Sequence, residues 1–163
     1  MDQTLSFDSP IGVLSVSCTN LGVSRVMLSG TSQTAPDNNP ATTRVLRDAK
    51  EQLLQYLQGK RKQFDLSIDW SRMTAFQEAV LKLTLEIPYG EVRTYGQLAQ
   101  MLNKPSASRA VGTALANSPV WIIIPCHRVI SASRDLTGYA GGIPVKQRLL
   151  ELEGHKIVGQ KLA

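Results

Sequence analysis

Cysteine is scarce in this chain: of 163 residues only Cys18 and Cys126 carry a thiol. One possible pair cannot make the disulfide framework of a small secreted domain. With only His127 and His155 to add, the soft ligands are too few for a structural zinc cage, so no metal is expected, and no cofactor either. Long apolar runs are missing too. The most apolar stretch, Val120-Trp121-Ile122-Ile123-Ile124, falls far short of the ~20 residues that span a bilayer. The N-terminus has no charged-then-apolar signal pattern, which predicts a soluble, cytoplasmic protein without a membrane partner. With 42% apolar and 19% charged residues, disorder is excluded as well, and the length suits one domain or two small ones.

Charge is distributed unevenly. Residues 1 to 70 carry seven Lys/Arg against seven Asp/Glu; residues 71 to 163 carry eleven against six, which is the whole net charge of +5. A basic second half suits a polyanion partner or is an idle basic surface.

Between Thr4 and Leu28 apolar residues alternate, interrupted at Ser9-Pro10-Ile11-Gly12 and at Thr19-Asn20-Leu21-Gly22, so short antiparallel strands joined by tight turns are expected. The stretch from Gly30 to Pro40 has loop composition. Val45, Ala49, Leu53 and Leu57 then recur every four residues up to Gly59, predicting one amphipathic helix. Lys60-Arg61-Lys62 reads as a solvated helix end. Phe64, Leu66, Ile68 and Trp70 alternate as a further strand able to return to the sheet.

After Arg72 the pattern turns helical. Thr74 with Gln77, and Thr94 with Gln97, are capping-box signatures; Pro88 stops the first helix, and the second runs to about Leu102. Asn103-Lys104-Pro105 turns the chain and Ser106 caps a helix to about Ala116, which makes a helix-turn-helix. That last helix is nearly bald: Ala107, Ser108, Ala110, Gly112, Ala114 and Ala116 leave Arg109 as its one large polar side chain. A thin helix suits either entry into a nucleic-acid groove or close packing on another helix. The reading is therefore an α/β (α+β) protein with a small N-terminal antiparallel sheet and helix, residues 1–72, and a mainly helical, winged-helix-like C-terminal domain, residues 73–163.

Val120 to Ile124 is a buried strand or extended run that delivers the chain to Pro125-Cys126-His127-Arg128. Titratable groups at the end of such a run need a reason, because desolvated charge is costly unless paired. A thiol near an imidazole ionises more readily, and the thiolate is the nucleophile; the plain alternative is a buried cysteine with an incidental histidine. In a regular strand the two side chains would point apart, so they cooperate only at a bend or through a water. Downstream, Thr137 to Gly142 reads as a turn beside Tyr139. Pro144 opens a helix ending at Gly154, and Glu153 in its last turn opposes the helix dipole. It either orients an imidazole or is an ordinary solvated carboxylate. Cys18, alternating with apolar residues, is expected to be inert core.

Ile124-Pro125-Cys126-His127-Arg128-Val129, with Arg109-Ala110-Val111-Gly112 upstream and Gly138-Tyr139-Ala140-Gly141-Gly142 downstream, resembles the O6-alkylguanine-DNA alkyltransferases. The resemblance covers residues 73 to 154 closely and the first 70 in layout only. It implies single-turnover transfer of the alkyl group of O6-alkylguanine, with O4-alkylthymine as a further candidate, from a flipped nucleotide of double-stranded DNA to Cys126. His127 would act as base through a water, Glu153 would orient it, and Tyr95 would press on the target phosphate and protonate guanine N3. Arg109 would enter the base stack, with Ala107, Ser108, Ala110 and Gly112 along the groove; Leu115, Ser118, Val129, Tyr139 and Ala140 would line the pocket. The protein would act as a monomer, with cooperative binding along DNA an open question, in the cytoplasm with the nucleoid or in a nucleus. The family usually has an asparagine before the proline at 119; here that residue is Ser118, with Asn117 one place earlier, and Trp121 is bulkier than the pattern leads one to expect. A base-flipping protein that transfers nothing, and a Cys-His-Glu hydrolase, are the alternatives.

Overall fold

Three antiparallel strands open the chain: β1 (Gln3–Ser9), β2 (Gly12–Thr19) and β3 (Gly22–Leu28), in that order across one sheet. The alternation read from the sequence is the register itself, with Leu14 opposite both Phe7 and Leu28, and Val16 opposite Leu5 and Val26. The computed structural model describes residues 2–29, 40–136, 139 and 141–163. The loop expected from Gly30 falls outside them up to residue 39, and Pro40 already belongs to α1 (Pro40–Leu57). The buried stripe of α1 is Leu46, Ala49, Leu53, Tyr56 and Leu57, whereas Val45 is only partly covered. It packs on β1 and β2. The helix ends in a Schellman motif: Gly59, at φ 75°, donates to Tyr56 and Lys60 donates to Gln55.

Two segments expected as strands prove shorter. Residues 64–70 do return to the sheet, but among the described residues their backbone pairs with it at Val23 alone, whose N–H donates to Ser67 O at 2.8 Å and whose carbonyl accepts from Asp69. The backbone groups of Asp65 are taken instead by the Gln52 side chain of α1. Val120 likewise meets β3 in a single parallel bridge at Val26. Both segments share the free edge of one seven-residue strand, and neither has room to extend. Gly22 permits the close approach of the first: a Cβ there would lie 2.5 Å from Ser67 O. Beyond Val120 the run is not a strand but a turn. Ile123 N–H donates to Trp121 O at 2.7 Å across Ile122, whose φ is 70°, the rare γ-turn of the strained hand. The segment is nonetheless buried as expected, apart from the partly exposed Trp121.

Residues Met1–Arg72 with Pro119–Ile123 form one compact unit, and Met73–Ser118 with Ile124–Ala163 a second. In the second lie α2 (Ala75–Leu85), β4 (Arg93–Thr94), α3 (Tyr95–Met101), α4 (Ser108–Ala116), a single 3₁₀ turn at Cys126–Arg128, β5 (Val129–Ile130), α5 (Ile143–Leu152) and the pair β6 (Ile157–Val158) and β7 (Lys161–Leu162). Strand β4 pairs with β5 in parallel. The Thr94–Gln97 capping box is complete. At Thr74 only half of it forms, because Gln77 Nε2 donates instead to the Ala114 and Asn117 carbonyls at the end of α4.

The helix-turn-helix differs from expectation at its turn. Asn103, at φ 59°, closes α3, with its own N–H donating to Gln100 and that of Lys104 to Ala99. Lys104-Pro105-Ser106-Ala107 then forms a β-turn, with Ala107 N–H donating to Lys104 O. Ser106 is consumed in that turn, so α4 starts later, with Ala107 at its N-cap and no side-chain cap. A hairpin unread in the sequence, β6–β7, turns through Gly159 and Gln160, both at positive φ. Leu162 packs there with Ile130, Leu136 and Leu150.

Candidate active site

The 3₁₀ turn holds the candidate nucleophile. Pro125, at φ −81° and ψ 62°, forms an inverse γ-turn in which Cys126 N–H donates to Ile124 O at 2.8 Å. The chain then coils once, so Cys126, His127 and Arg128 splay by roughly 120° each instead of alternating. The bend that cooperation requires is therefore built into the backbone. Cys126 is 6% exposed and His127 wholly buried.

Glu153 is the hub beneath them. It sits at the C-cap of α5, one residue past the helix, and is buried rather than solvated. Its Oε2 lies 2.8 Å from His127 Nε2 and accepts from Arg128 Nη2 at 2.9 Å; its Oε1 accepts from Arg128 Nε at 2.8 Å and from the Gly90 N–H at 3.3 Å. Arg128 also donates to Ile87 O at 2.7 Å and lies over the Tyr89 ring. A carboxylate committed to this many donors can only accept, so the network assigns the proton of the neutral imidazole to Nε2 and leaves the Nδ1 lone pair to take a proton. Burial holds the His127 pKa below its usual value, against the opposing pull of Glu153.

Burial pushes the Cys126 thiol up to about 11, opposed by a hydrogen bond from the Ser118 side chain and by the charge of Lys146. Lys146 was not singled out in the sequence. It projects from α5, is 1% exposed, and donates to Val129 O at 2.6 Å; burial brings its pKa down to about 8. A lysine four residues after the Gly141-Gly142 turn, on the face occupied by Leu149 and Leu150, was the available signal. Arg128, quoted only as part of the motif, was the other omission.

Of the remaining expected residues, Val129 and Ser118 are buried. Tyr139 stands edge-on to His127 with ring centroids 6.5 Å apart, and its phenol is pushed well above its usual pKa, first by burial and then by Cys126. Ala140, with Thr137 and Gly138, lies outside the described residues. Leu115 is on the inward face of α4 with Val111 and Ala114, while Arg109 and Ala110 are exposed on its outer side and Ala107, Ser108 and Gly112 are half-covered. Tyr95, at the start of α3, lies against Gly112, where a Cβ would meet its ring at an ordinary contact distance of 3.8 Å, so packing on Tyr95 does not itself require the glycine. Cys18 is core. Among the described residues no three His, Cys, Asp or Glu side chains could hold a metal, and no helix is long and apolar enough to cross a membrane.

Comparison with known proteins agrees with this layout. The DNA binding domain of 6-O-methylguanine DNA methyltransferase matches residues 75–155, and the ribonuclease-like domain of the same family matches residues 5–70. A methylated-DNA–protein-cysteine methyltransferase of Methanosarcina acetivorans is 43% identical over 150 residues, 91% of this chain and 96% of that one. A protein of the same description from Mycobacterium bovis is 44% identical over 153 residues, 91% of this chain and 90% of that one. The crystal structure of Mycobacterium tuberculosis OGT in complex with DNA superposes with a TM-score of 0.81 at 41% identity, over 93% of this chain and 92% of the other. With both halves matched and the identity spanning nearly its whole length, the chain belongs to the methylated-DNA–protein-cysteine methyltransferases.

Proposed function

We propose that this chain repairs DNA by transferring the alkyl group of O6-alkylguanine in the duplex to Cys126, once per molecule. The observation that carries the reading is the charge arrangement around one sulfur: Cys126 lies under the influence of the Lys146 ammonium, next to a histidine whose Nε2 is tied to a buried carboxylate at 2.8 Å. The Nδ1 lone pair of His127 takes the thiol proton through a water, and Glu153 stabilises the imidazolium. The thiolate attacks the alkyl carbon in line; the S–C bond forms, the C–O6 bond breaks, and its electron pair passes into the guanine ring, which Tyr95 protonates at N3. A thioether remains, with no group at hand to remove it.

The residues 73–163 bind the DNA and accept the alkyl group, and residues 1–72 support them. Arg109, exposed on the thin outer side of α4, enters the stack while α4 lies in the minor groove; flipping costs a few kcal/mol, which that insertion and phosphate contacts offset. Val129, Tyr139, Ser118, Leu115 and Ala140 form the pocket. The relative from Mycobacterium tuberculosis that superposes on this chain was crystallised with DNA, which supports a DNA partner here. We take the working form to be a monomer located with the chromosomal DNA. Intact-mass measurement after incubation with duplex DNA containing O6-methylguanine is expected to add one CH₂, once, on Cys126. Tight binding with unchanged mass would favour a damage-recognition role, and turnover of an ester or peptide would favour a hydrolase.

A further inference from the structure

Glu153 must keep one carboxylate oxygen on His127 while standing where a carboxylate is least favoured, at the carbonyl end of α5. The last carbonyls of a helix lack partners within it, and an untethered helix end frays. A carboxylate that drifts by about 1 Å loses a hydrogen bond whose useful range is only about 2.7–3.2 Å. Something outside α5 has to hold this end still.

The turn between α2 and β4 does so. Pro88-Tyr89-Gly90-Glu91 closes with the Glu91 N–H donating to Pro88 O at 3.0 Å, and Gly90 at φ 84° gives it the type II form, which favours glycine at that position. Ile87 O, just before the turn, accepts from Arg128 Nη1 at 2.7 Å. The Tyr89 ring lies beneath the Arg128 guanidinium, its centroid 5.7 Å from Cζ. The Tyr89 hydroxyl donates to Leu152 O at 3.1 Å, the carbonyl of the very peptide bond that joins Leu152 to Glu153. Gly90 N–H then donates to the Glu153 carboxylate at 3.3 Å. Consecutive residues of the turn thus hold consecutive residues of the helix end, and Tyr89 reaches both sides of the ion pair, Arg128 with its ring and the backbone of Glu153 with its hydroxyl. Burial, and after it the charge of Glu153, raises the pKa of this phenol, so it stays protonated and able to donate.

From this arrangement we infer that Tyr89 is a positioning residue for the base of the transfer: by fixing the end of α5 it makes Glu153 present Oε2 to His127 Nε2, which keeps the imidazole proton on that nitrogen and Nδ1 as the acceptor. The inference rests on the alkyl-transfer reading for its kinetic consequence, but not for the state of the imidazole. Tyr89 touches neither the sulfur nor the alkyl group in this scheme; it acts through Glu153, as the outer partners of a histidine commonly do in setting its tautomer.

Tyr89→Phe removes the hydroxyl and keeps the ring; Tyr89→Leu removes both. The ring nitrogens of His127 report where the carboxylate lies, in the full chain without DNA. Only His127 and His155 carry imidazoles, so nitrogen-15 spectra of the two rings are assigned with a single His155→Gln control. The parent is expected to show His127 as the Nε2–H tautomer alone. Tyr89→Leu should move both nitrogen signals toward the averaged positions of exchanging tautomers, and Tyr89→Phe should move them part of the way. Single-turnover transfer from O6-methylguanine duplex at saturating DNA is expected to slow about threefold in Tyr89→Phe, within the range of one neutral hydrogen bond, and about tenfold in Tyr89→Leu, with the half-saturating DNA concentration unchanged in both. Should Tyr89→Leu fold poorly, Tyr89→Phe carries the test by itself. Parental His127 signals in Tyr89→Phe, whatever its rate, mark a merely structural role and overturn the inference, as does a parental rate beside displaced signals or a loss confined to DNA affinity. If the parent protein takes no label from alkylated duplex while the imidazole signals respond to Tyr89, the alkyl-transfer reading fails and the positioning of His127 stands.

Discussion

Glu153 Oε2 sits 2.8 Å from His127 Nε2 while the same carboxylate receives two nitrogens of Arg128, from opposite ends of its guanidinium edge. Orientation of the imidazole and burial of an arginine thus depend on one side chain. Removing one partner of a buried ion pair strands the other charge, at a cost of about 3–5 kcal/mol. Glu153→Gln is expected to lower unfolding free energy by that order in urea titration and to slow transfer even where folding is complete. A variant as stable as the parent would show that Arg128 finds its compensation elsewhere.

The histidine gives stability a defined acid limb. Its folded pKa is depressed, chiefly by burial, so below its ordinary value near 6.5 the unfolded chain binds a proton that the folded chain refuses. Stability therefore falls as pH drops through about 6.5 and below. Denaturation midpoints measured from pH 7.5 to 5 are expected to decline for the parent and to decline less steeply for His127→Gln. Parallel curves would remove His127 from the cause.

Lys146 places a buried cation near the sulfur, its Nζ fixed on Val129 O. Lys146→Met should raise the thiol pKa beyond about 11 and slow transfer at neutral pH. The same variant removes a desolvated charge, so its stability is expected to stay within about 1–2 kcal/mol of the parent. Faster transfer in the variant would contradict the electrostatic assignment.

On α4 two substitutions separate groove entry from helix packing. Arg109→Ala should cut transfer on duplex DNA by about 10²-fold, the few kcal/mol that flipping demands, while the salt slope of overall DNA binding changes by less than about one. Gly112→Ala adds a methyl at ordinary contact distance from the Tyr95 ring, 3.8 Å, and should stabilise the helix by up to about 1 kcal/mol. If that variant is both more stable and slower on duplex DNA, the thinness of α4 serves the groove. Unchanged transfer would show that the groove does not require the glycine.

Where local chemistry decided the structure, the sequence could be read. The alternation from Leu5 to Leu28, the Thr94–Gln97 cap and Gly59 each act through neighbours a few residues away, and each appears in its expected place, while Pro144 falls one residue inside the first turn of α5 instead of at its first position. The failures share a different cause. Residues 64–70 and 120–124 have strand composition, but both compete for the same edge of β3, a fact of tertiary arrangement that neither carries in its own residues. Ser106 is a good cap by type and is spent in a turn set by Pro105. At the site, the Cys126-His127 dipeptide alone reads equally as a buried cysteine beside an incidental histidine, and only the wider motif that resembles a known family singles it out, whereas Lys146 becomes visible only when α5 brings it against Val129.

The approach to Cys126 consists of two hydrogen-bonded γ-turns in close succession, one about Ile122 and one about Pro125, of opposite hand. Each folds the chain back within three residues, so the path has no slack to absorb an added or missing amino acid. The buried side chains of Val120, Ile122, Ile123 and Ile124 tolerate exchange only for apolar groups of similar volume, and altering the number of residues there would displace Cys126; chain length is the stricter constraint on engineering.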